Sequence, residues 1–202
     1  MVSSASIRGW VARDPAPLLI RFCVVAGILF LFREGISRIY LATMVPLVNG
    51  IFQLEGLAVA FAREQHILRL TYATLGLEFT VHDIIYQNLM VALALFAATP
   101  GRWGWRLKWM GIAVGVLWVT HVASLYLGGY VIIWDFVESL PLDDRGALAQ
   151  RVSEVLPRER DWLLSRLFGV WHTWGRPTVG LGVWLIASRR YLGLPREGGE
   201  GD

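Results

Sequence analysis

The sequence predicts an α-helical membrane protein with four transmembrane helices, five being the alternative count. A small extracytoplasmic β-hairpin and an amphipathic helical segment complete the predicted fold. Three observations predict it. Over 202 residues, hydrophobic types make up 55% and charged types 17%, against roughly 45–50% and about 25% in globular chains. Mean hydropathy is +0.49, and the apolar residues fall in blocks, as a bilayer requires. Ten Trp fit a chain whose indoles settle at the headgroup level.

Residues 1–17 read as a cytoplasmic N-terminal tail. No small-residue cleavage pattern follows the first apolar run, so that run is expected to be retained. The first span, about residues 18–38, opens with an apolar block of about 15 residues where ~20 are needed to cross. Arg21 near its start can snorkel to the inner surface. Arg33, Glu34 and Arg38 then interrupt, and the stretch 39–61 carries Pro46, Asn49, Gln53 and Glu55. Polar groups are expensive at membrane depth, so this stretch is expected to lie along or above the outer surface, within an outer segment 39–83. A separate crossing by it is the five-helix alternative.

Residues 66–74 and 77–82 alternate apolar and polar types, with Gly76 between them. This is the signal of two strands joined by a tight reversal. An isolated hairpin is marginal in water, so it needs a helix or a partner's sheet to lean on. Asp83 ends the second strand and is placed to cap the next span, about residues 84–98, which Thr99-Pro100-Gly101 closes. The connector that follows carries Arg102, Arg106 and Lys108 without an acid, interleaved with Trp103, Trp105 and Trp109. Such a loop belongs on the cytoplasmic side.

The third span, 110–134, has about 25 residues without a charge where ~20 suffice. The outer segment 135–166 is acidic (Asp135, Glu138, Asp143, Asp144, Glu154, Glu159 and Asp161). Its apolar positions between 143 and 156 follow helical spacing and predict a short amphipathic helix. The last span, 167–188, ends at Arg189-Arg190, and a Gly/Glu tail over 193–202 is expected to be disordered. With the basic loop inside, both termini are cytoplasmic, and the hairpin and acidic segment lie outside. The domain organisation is then a single membrane domain, 18–192, between two tails.

The net charge of +3 does not point to nucleic acid, because Lys and Arg occupy connectors and helix ends and form no extended basic face. The single cysteine, Cys23, excludes an internal disulfide and a Cys-based structural metal site. A thiol nucleophile is not expected either. Cys23 lies near the inner end of the first span, too far from His172 and Arg176 to be activated by them, and is expected to be buried as a small hydrophobe.

Intramembrane polar residues are the functional candidates. His121 lies near the middle of the third span, Arg176 near the middle of the fourth, and His172 one turn outward from Arg176. Pro177 has no N–H and deprives the Thr173 carbonyl of its partner. His121, His172 and Arg176 thus outline a polar pocket. Axial ligation of a haem by His121 and His172 is one alternative. At ~1.5 Å per residue, however, the two sit at different depths, and hydrogen bonds to neighbouring helices are the expected roles. No cofactor and no metal are assigned. His82, Asp83 and Asn88 mark a junction that faces a partner. Gly111-x-x-x-Gly115 has the spacing of close helix contact.

The order of parts resembles a known family. A first span runs into an outer helix, and an alternating strand pair leads directly into Tyr86-x-Asn88-Leu-x-x-Ala-Leu-Ala-Leu-Phe-Ala-Ala-Thr99-Pro100. After the basic loop, the third span exits through Trp134-Asp135-Phe-Val-x-x-Leu. A Pro-containing last span ends in Ser188-Arg-Arg-Tyr-Leu192. From about residue 18 to 192 the chain resembles the exosortase-associated membrane proteins, in particular the type that accompanies exosortase H. The resemblance implies a non-enzymatic accessory protein in the inner (cytoplasmic) membrane, bound to lipid bilayer and to an exosortase-like enzyme in a protein-sorting system. It carries over no catalytic residue.

Overall fold

A computed structural model describes residues 16–64, 67–82, 85–156 and 161–189. Both predicted tails therefore lie outside the described residues, apart from Ala16 and Pro17, which already belong to the first helix. Among the described residues, seven α-helices and three strands follow in order: α1 (Ala16–Leu31), α2 (Arg33–Leu54), β1 (Val59–Glu64), β2 (Ile67–Tyr72), β3 (Leu77–His82), α3 (Ile85–Ala98), α4 (Trp103–Ser139), α5 (Leu142–Val155), α6 (Asp161–Val170) and α7 (Arg176–Ser188). A π-helical segment, Trp171–Gly175, joins α6 to α7. The protein is mostly helical with one small sheet. Two helices, Arg33–Leu54 and Trp103–Ser139, are long and apolar enough to cross a membrane, and Ala16–Leu31, Gln87–Ala98 and Thr178–Ser188 are shorter apolar helices.

The first predicted span, 18–38, is broken at Phe32. Helix α2 starts one residue after α1 ends, and Arg33 stacks its guanidinium 4.5 Å from the Phe30 ring centroid at the break. Helix α1 lies along α3, while α2 lies against α4 and β1. Pro46 leaves the Ala42 carbonyl without its i+4 donor, yet α2 continues through it to Leu54. Its end is local: Gly56, at φ +73°, enters the left-handed region. Gly56 N–H then donates to the Gln53 carbonyl at 3.0 Å and Leu57 N–H to the Phe52 carbonyl at 2.9 Å. These paired bonds stop a helix and satisfy its last carbonyls.

The predicted hairpin is the outer pair of a three-stranded antiparallel sheet, ordered β1-β2-β3. Strand β1 comes from residues expected to be the end of the outer apolar stretch. The β2–β3 reversal is as read, with Gly76 at φ +67°. Three rows stand in register, Val59-Tyr72-Leu77, Phe61-Leu70-Phe79 and Arg63-Leu68-Val81, and these alternate residues face the helices. Phe61 meets Phe52 of α2 at 6.3 Å between ring centroids, and Phe79 meets Phe136 of α4 at 5.2 Å edge to face. On the opposite face, Arg69 is paired with Glu64 at 2.8 Å and Glu78 at 3.2 Å; exposed pairs of this kind contribute little, roughly 0–1 kcal/mol.

Helix α4 overruns its predicted limits, 110–134, at both ends. The Trp and basic residues before it are ordinary helix formers. Asp135 and Glu138 change the polarity of α4 without breaking it. It stops where Leu140, ahead of Pro141, is extended at ψ 153°, as a residue before proline prefers. Arg145 of α5 reaches back to donate to the Glu138 and Leu140 carbonyls, which closes the corner. Helix α5 matches the predicted amphipathic segment, burying Val152 and leaving Asp143 and Asp144 exposed.

The last predicted span, 167–188, is composite. Thr173 lies four residues before Pro177, and the helix widens into the π segment over this turn instead of kinking. Thr178 Oγ1 donates to the Trp174 carbonyl at 2.5 Å and lies 3.2 Å from that of Gly175.

The core follows α2, α4 and the inner face of the sheet. A second cluster around Phe96, Ala113, Trp184 and Ala187 gathers α3, α4 and α7, with Leu18 of α1 packed against it. Gly129 is the tight point between α2 and α4. A Cβ there would collide with Cζ of Phe52, so α2 crosses α4 at a separation only glycine permits. Gly129→Ala is therefore expected to lower stability by about 1–3 kcal/mol through overpacking. Adding Phe52→Leu should restore part of the loss; thermal unfolding in detergent measures both, and equal stability of G129A and wild type would refute this contact.

Candidate functional site

The polar residues of α2 and α4 form a seam. Tyr40 and His121 are both buried, and Tyr40 Oη lies 2.9 Å from His121 Nδ1. Thr43 Oγ1 accepts from Trp118 Nε1 at 2.9 Å. At the top of the seam the Glu55 carboxylate accepts from Tyr126 at 2.6 Å through Oε1 and from Tyr130 through Oε2. One carboxylate thereby fixes two phenols a helical turn apart. Of the polar residues of 39–61, which in the sequence argue against burial in lipid, Tyr40, Thr43 and Glu55 are thus spent on α4.

Asn49 does the corresponding work on β1. Its Nδ2 donates to the Phe61 carbonyl at 2.9 Å, and its Oδ1 accepts from the Phe61 N–H at 2.7 Å. The side-chain amide occupies the place of a neighbouring strand. Because Phe61 turns both backbone groups away from β2, Phe61–Leu70 is a non-hydrogen-bonded pair. By alternation Leu70–Phe79 is a hydrogen-bonded one. The outward backbone groups of β3 then belong to Glu78, Thr80 and His82. Among the described residues no strand pairs with this edge. Among the described residues, the middle of the β1 edge is therefore capped by a side chain, and the β3 edge has no strand beside it.

The residues singled out from sequence are dispersed. His121 faces α2, while His172 is exposed and packs on Phe168 at 5.7 Å between ring centroids. The cavity of about 270 Å³ between α4 and α6 is lined by Thr120, Ala123, Ser124, Leu127, Leu167 and Trp171, and by neither histidine. The backbone of Arg176 opens α7, and that of His82 closes β3; the side chains of both, and Asp83 entirely, lie outside the described residues. Asn88 is half-buried on α3, and its carbonyl would lie 3.5 Å from a Cβ at Gly180 of α7. It therefore sits at an internal helix contact. Cys23 is exposed, not buried as expected, because none of α1's residues is buried. Gly111 and Gly115 face open space within the described residues. The described residues contain no cluster of three or more His, Cys, Asp or Glu placed to hold a metal ion.

In the sequence, Asn49 and Glu55 show only as polar interruptions. The partner of Asn49 is a strand backbone, and those of Glu55 are two tyrosines 71 and 75 residues away, so neither leaves a local pattern. The spacing of Tyr126 and Tyr130, one turn apart on α4, is the available signal.

The described fold defines a predominantly helical protein with two long apolar helices and a three-stranded head. Set beside family models, curated proteins and solved structures, the chain matches none of them.

Within the head, Tyr72 donates its phenol proton to the Gly129 carbonyl at 2.5 Å. Burial pushes this phenol above the ordinary tyrosine value of 10.0, with the Ile133 backbone opposing in part. The folded state holds the proton more tightly than the unfolded chain, so this stabilisation is intact below pH about 10 and is lost as pH rises beyond it. Tyr72→Phe is expected to cost about 1 kcal/mol at neutral pH and to make the alkaline decline shallower. Thermal unfolding across a pH series measures both effects; an unchanged alkaline slope would contradict this assignment.

Proposed function

We propose that this chain is a multi-pass membrane protein of the inner membrane whose helices carry an extracytoplasmic, partner-binding head. In this reading it is a non-enzymatic accessory protein of an exosortase-type protein-sorting system, as its resemblance to that family implies. What supports the bilayer is an unburied apolar surface. Leu19, Ile20, Val24, Ile28, Phe30 and Leu31 of α1 are all exposed, and no residue of α1 is buried. Val116 and Val119 of α4, Leu163 and Leu167 of α6, and Leu181, Leu185 and Ile186 of α7 are exposed as well. Soluble monomers rarely expose contiguous apolar patches larger than a few hundred Å², whereas lipid covers such a surface without cost.

The single observation that carries the partner-binding role is the inequality of the two sheet edges. Asn49 covers β1, while β3 presents the backbone groups of Glu78 and Thr80 to an incoming strand. Strand addition uses such an edge for affinity and alternate side-chain positions for selectivity. The basic, Trp-edged start of α4, where Arg106 lies 5.1 Å from the Trp103 ring centroid, belongs on the cytoplasmic side.

Topology is tested by single cysteines in a Cys23→Ser background. With a membrane-impermeant maleimide, a cysteine at Thr80 should be labelled in intact cells and one at Arg102 only after lysis; the reverse pattern would invert the topology. Partner binding is tested by affinity capture in mild detergent, which should recover an exosortase-like enzyme. Thr80→Pro removes an outward N–H without touching a ladder bond to β2, so it should reduce capture several-fold while leaving thermal stability within about 0.5 kcal/mol. Recovery of the chain alone, or undiminished capture by Thr80→Pro, would overturn the proposal.

A further inference from the structure

At the end of the sheet opposite Gly129, two arginines share a cavity whose lining, among the described residues, contains no acid. The cavity, of about 240 Å³, is lined by Arg38, Leu41, Ala42, Val45 and Pro46 of α2 and by Arg63 of β1. Arg63 stands on the inner face of the sheet, in the row with Leu68 and Val81. Its Nε is buried and has no hydrogen-bond partner. The neighbouring carboxylate, Glu64, is on the opposite face and is held by Arg69 at 2.8 Å. Two guanidinium groups with apolar walls, and no counter-charge among the described residues that line the cavity, call for an anion. Arginine's planar fork suits the oxygens of a phosphate.

The position of the cavity identifies the source of that phosphate. Leu18 packs beside Trp105 and Trp109, and from there to Arg38 the two helices, broken at Phe32, rise at most ~30 Å at ~1.5 Å per residue, a length of the order of the hydrocarbon core's thickness. The exposed apolar run of α1 ends at Phe32, and Ile39, beside Arg38, is again exposed. The cavity also falls below the ~300 Å³ at which pockets for whole small molecules usually begin, a size suited to a headgroup whose chains remain outside.

We infer that Arg38 and Arg63 form a binding site for the phosphate of a phospholipid in the outer leaflet, with the acyl chains lying along the exposed face of α1 and α2. The inference rests on the membrane reading above. The lipid would fasten the lower end of β1 to the headgroup layer, where Asn49 fastens its middle to α2.

The test uses the full chain, purified in a non-ionic detergent and followed by native mass spectrometry as phosphatidylglycerol is added. Wild type should retain one phosphatidylglycerol more tightly than a diacylglycerol of the same chains. Arg38→Gln and Arg63→Gln should each weaken retention roughly fivefold, and Arg63→Lys should retain most of it. Arg69→Gln, on the outer face, should leave it unchanged. Excess inorganic phosphate should not displace the lipid. Equal binding by wild type and Arg38→Gln, a substitution at an exposed helix position, would overturn the site even if Arg63→Gln fails to fold. Equal retention of diacylglycerol would overturn phosphate recognition, and displacement by inorganic phosphate would assign the site to a free anion. If the protein is absent from the membrane fraction of cells, the membrane reading fails; if it is present there and the variants bind lipid normally, only this inference fails.

Discussion

The seating of Phe52 on Gly129 is the constraint on which the rest of the structure depends. Helix α2 runs into β1 through a short link and packs on α4 at the same level, and that packing is close because α4 offers no Cβ at this point. Phe52 also packs on Phe61, Tyr126 and Tyr130, so one ring joins α2, β1 and α4. The hydrogen bonds around it follow from that geometry. Glu55 lies one turn beyond Phe52, within reach of both tyrosines, and Tyr72 finds the Gly129 carbonyl from the sheet side.

This arrangement explains why the polar residues of α2 are tolerated beside so much apolar surface. Three of them are matched to a group on a different element: Tyr40 to His121, Thr43 to Trp118 and Asn49 to β1. Buried polar groups cost little when paired and much when left alone. The seam is therefore more selective than an apolar contact of the same area, because sliding α2 by one turn would separate every pair at once.

Much of the secondary structure is legible in the sequence. The alternation of β2 and β3, the apolar block of α3 and the amphipathic spacing of α5 have local causes, and a local pattern shows them. Pro177 marks a real disturbance of its helix, which answers by widening into a π segment. What stays hidden depends on distance or on a single residue. Strand β1 follows directly from an apolar helix, and only the left-handed Gly56 separates them. The ends of α4 escape a hydropathy reading because charge ends a membrane span but not a helix. Cys23 reads as buried because apolar sequence alone does not say whether protein or another medium covers it. The expected intramembrane pocket is dispersed for a related reason: helical spacing gives the face of a residue only relative to its own helix.

The open edge and the arginine cavity are mechanically linked. Strand β1 is bound along its outer side by Asn49 and ends next to Arg63, so α2 fixes the orientation of the whole sheet. Strand β3 runs antiparallel to β2 toward its end at His82, close to the start of α3. In the membrane reading, the open edge stands just above the bilayer, and its outward groups run down toward the headgroups. A strand added there must itself come close to the membrane surface. A segment tethered to the membrane, or a loop of another membrane protein, meets that condition with less loss of freedom than a partner arriving from solution.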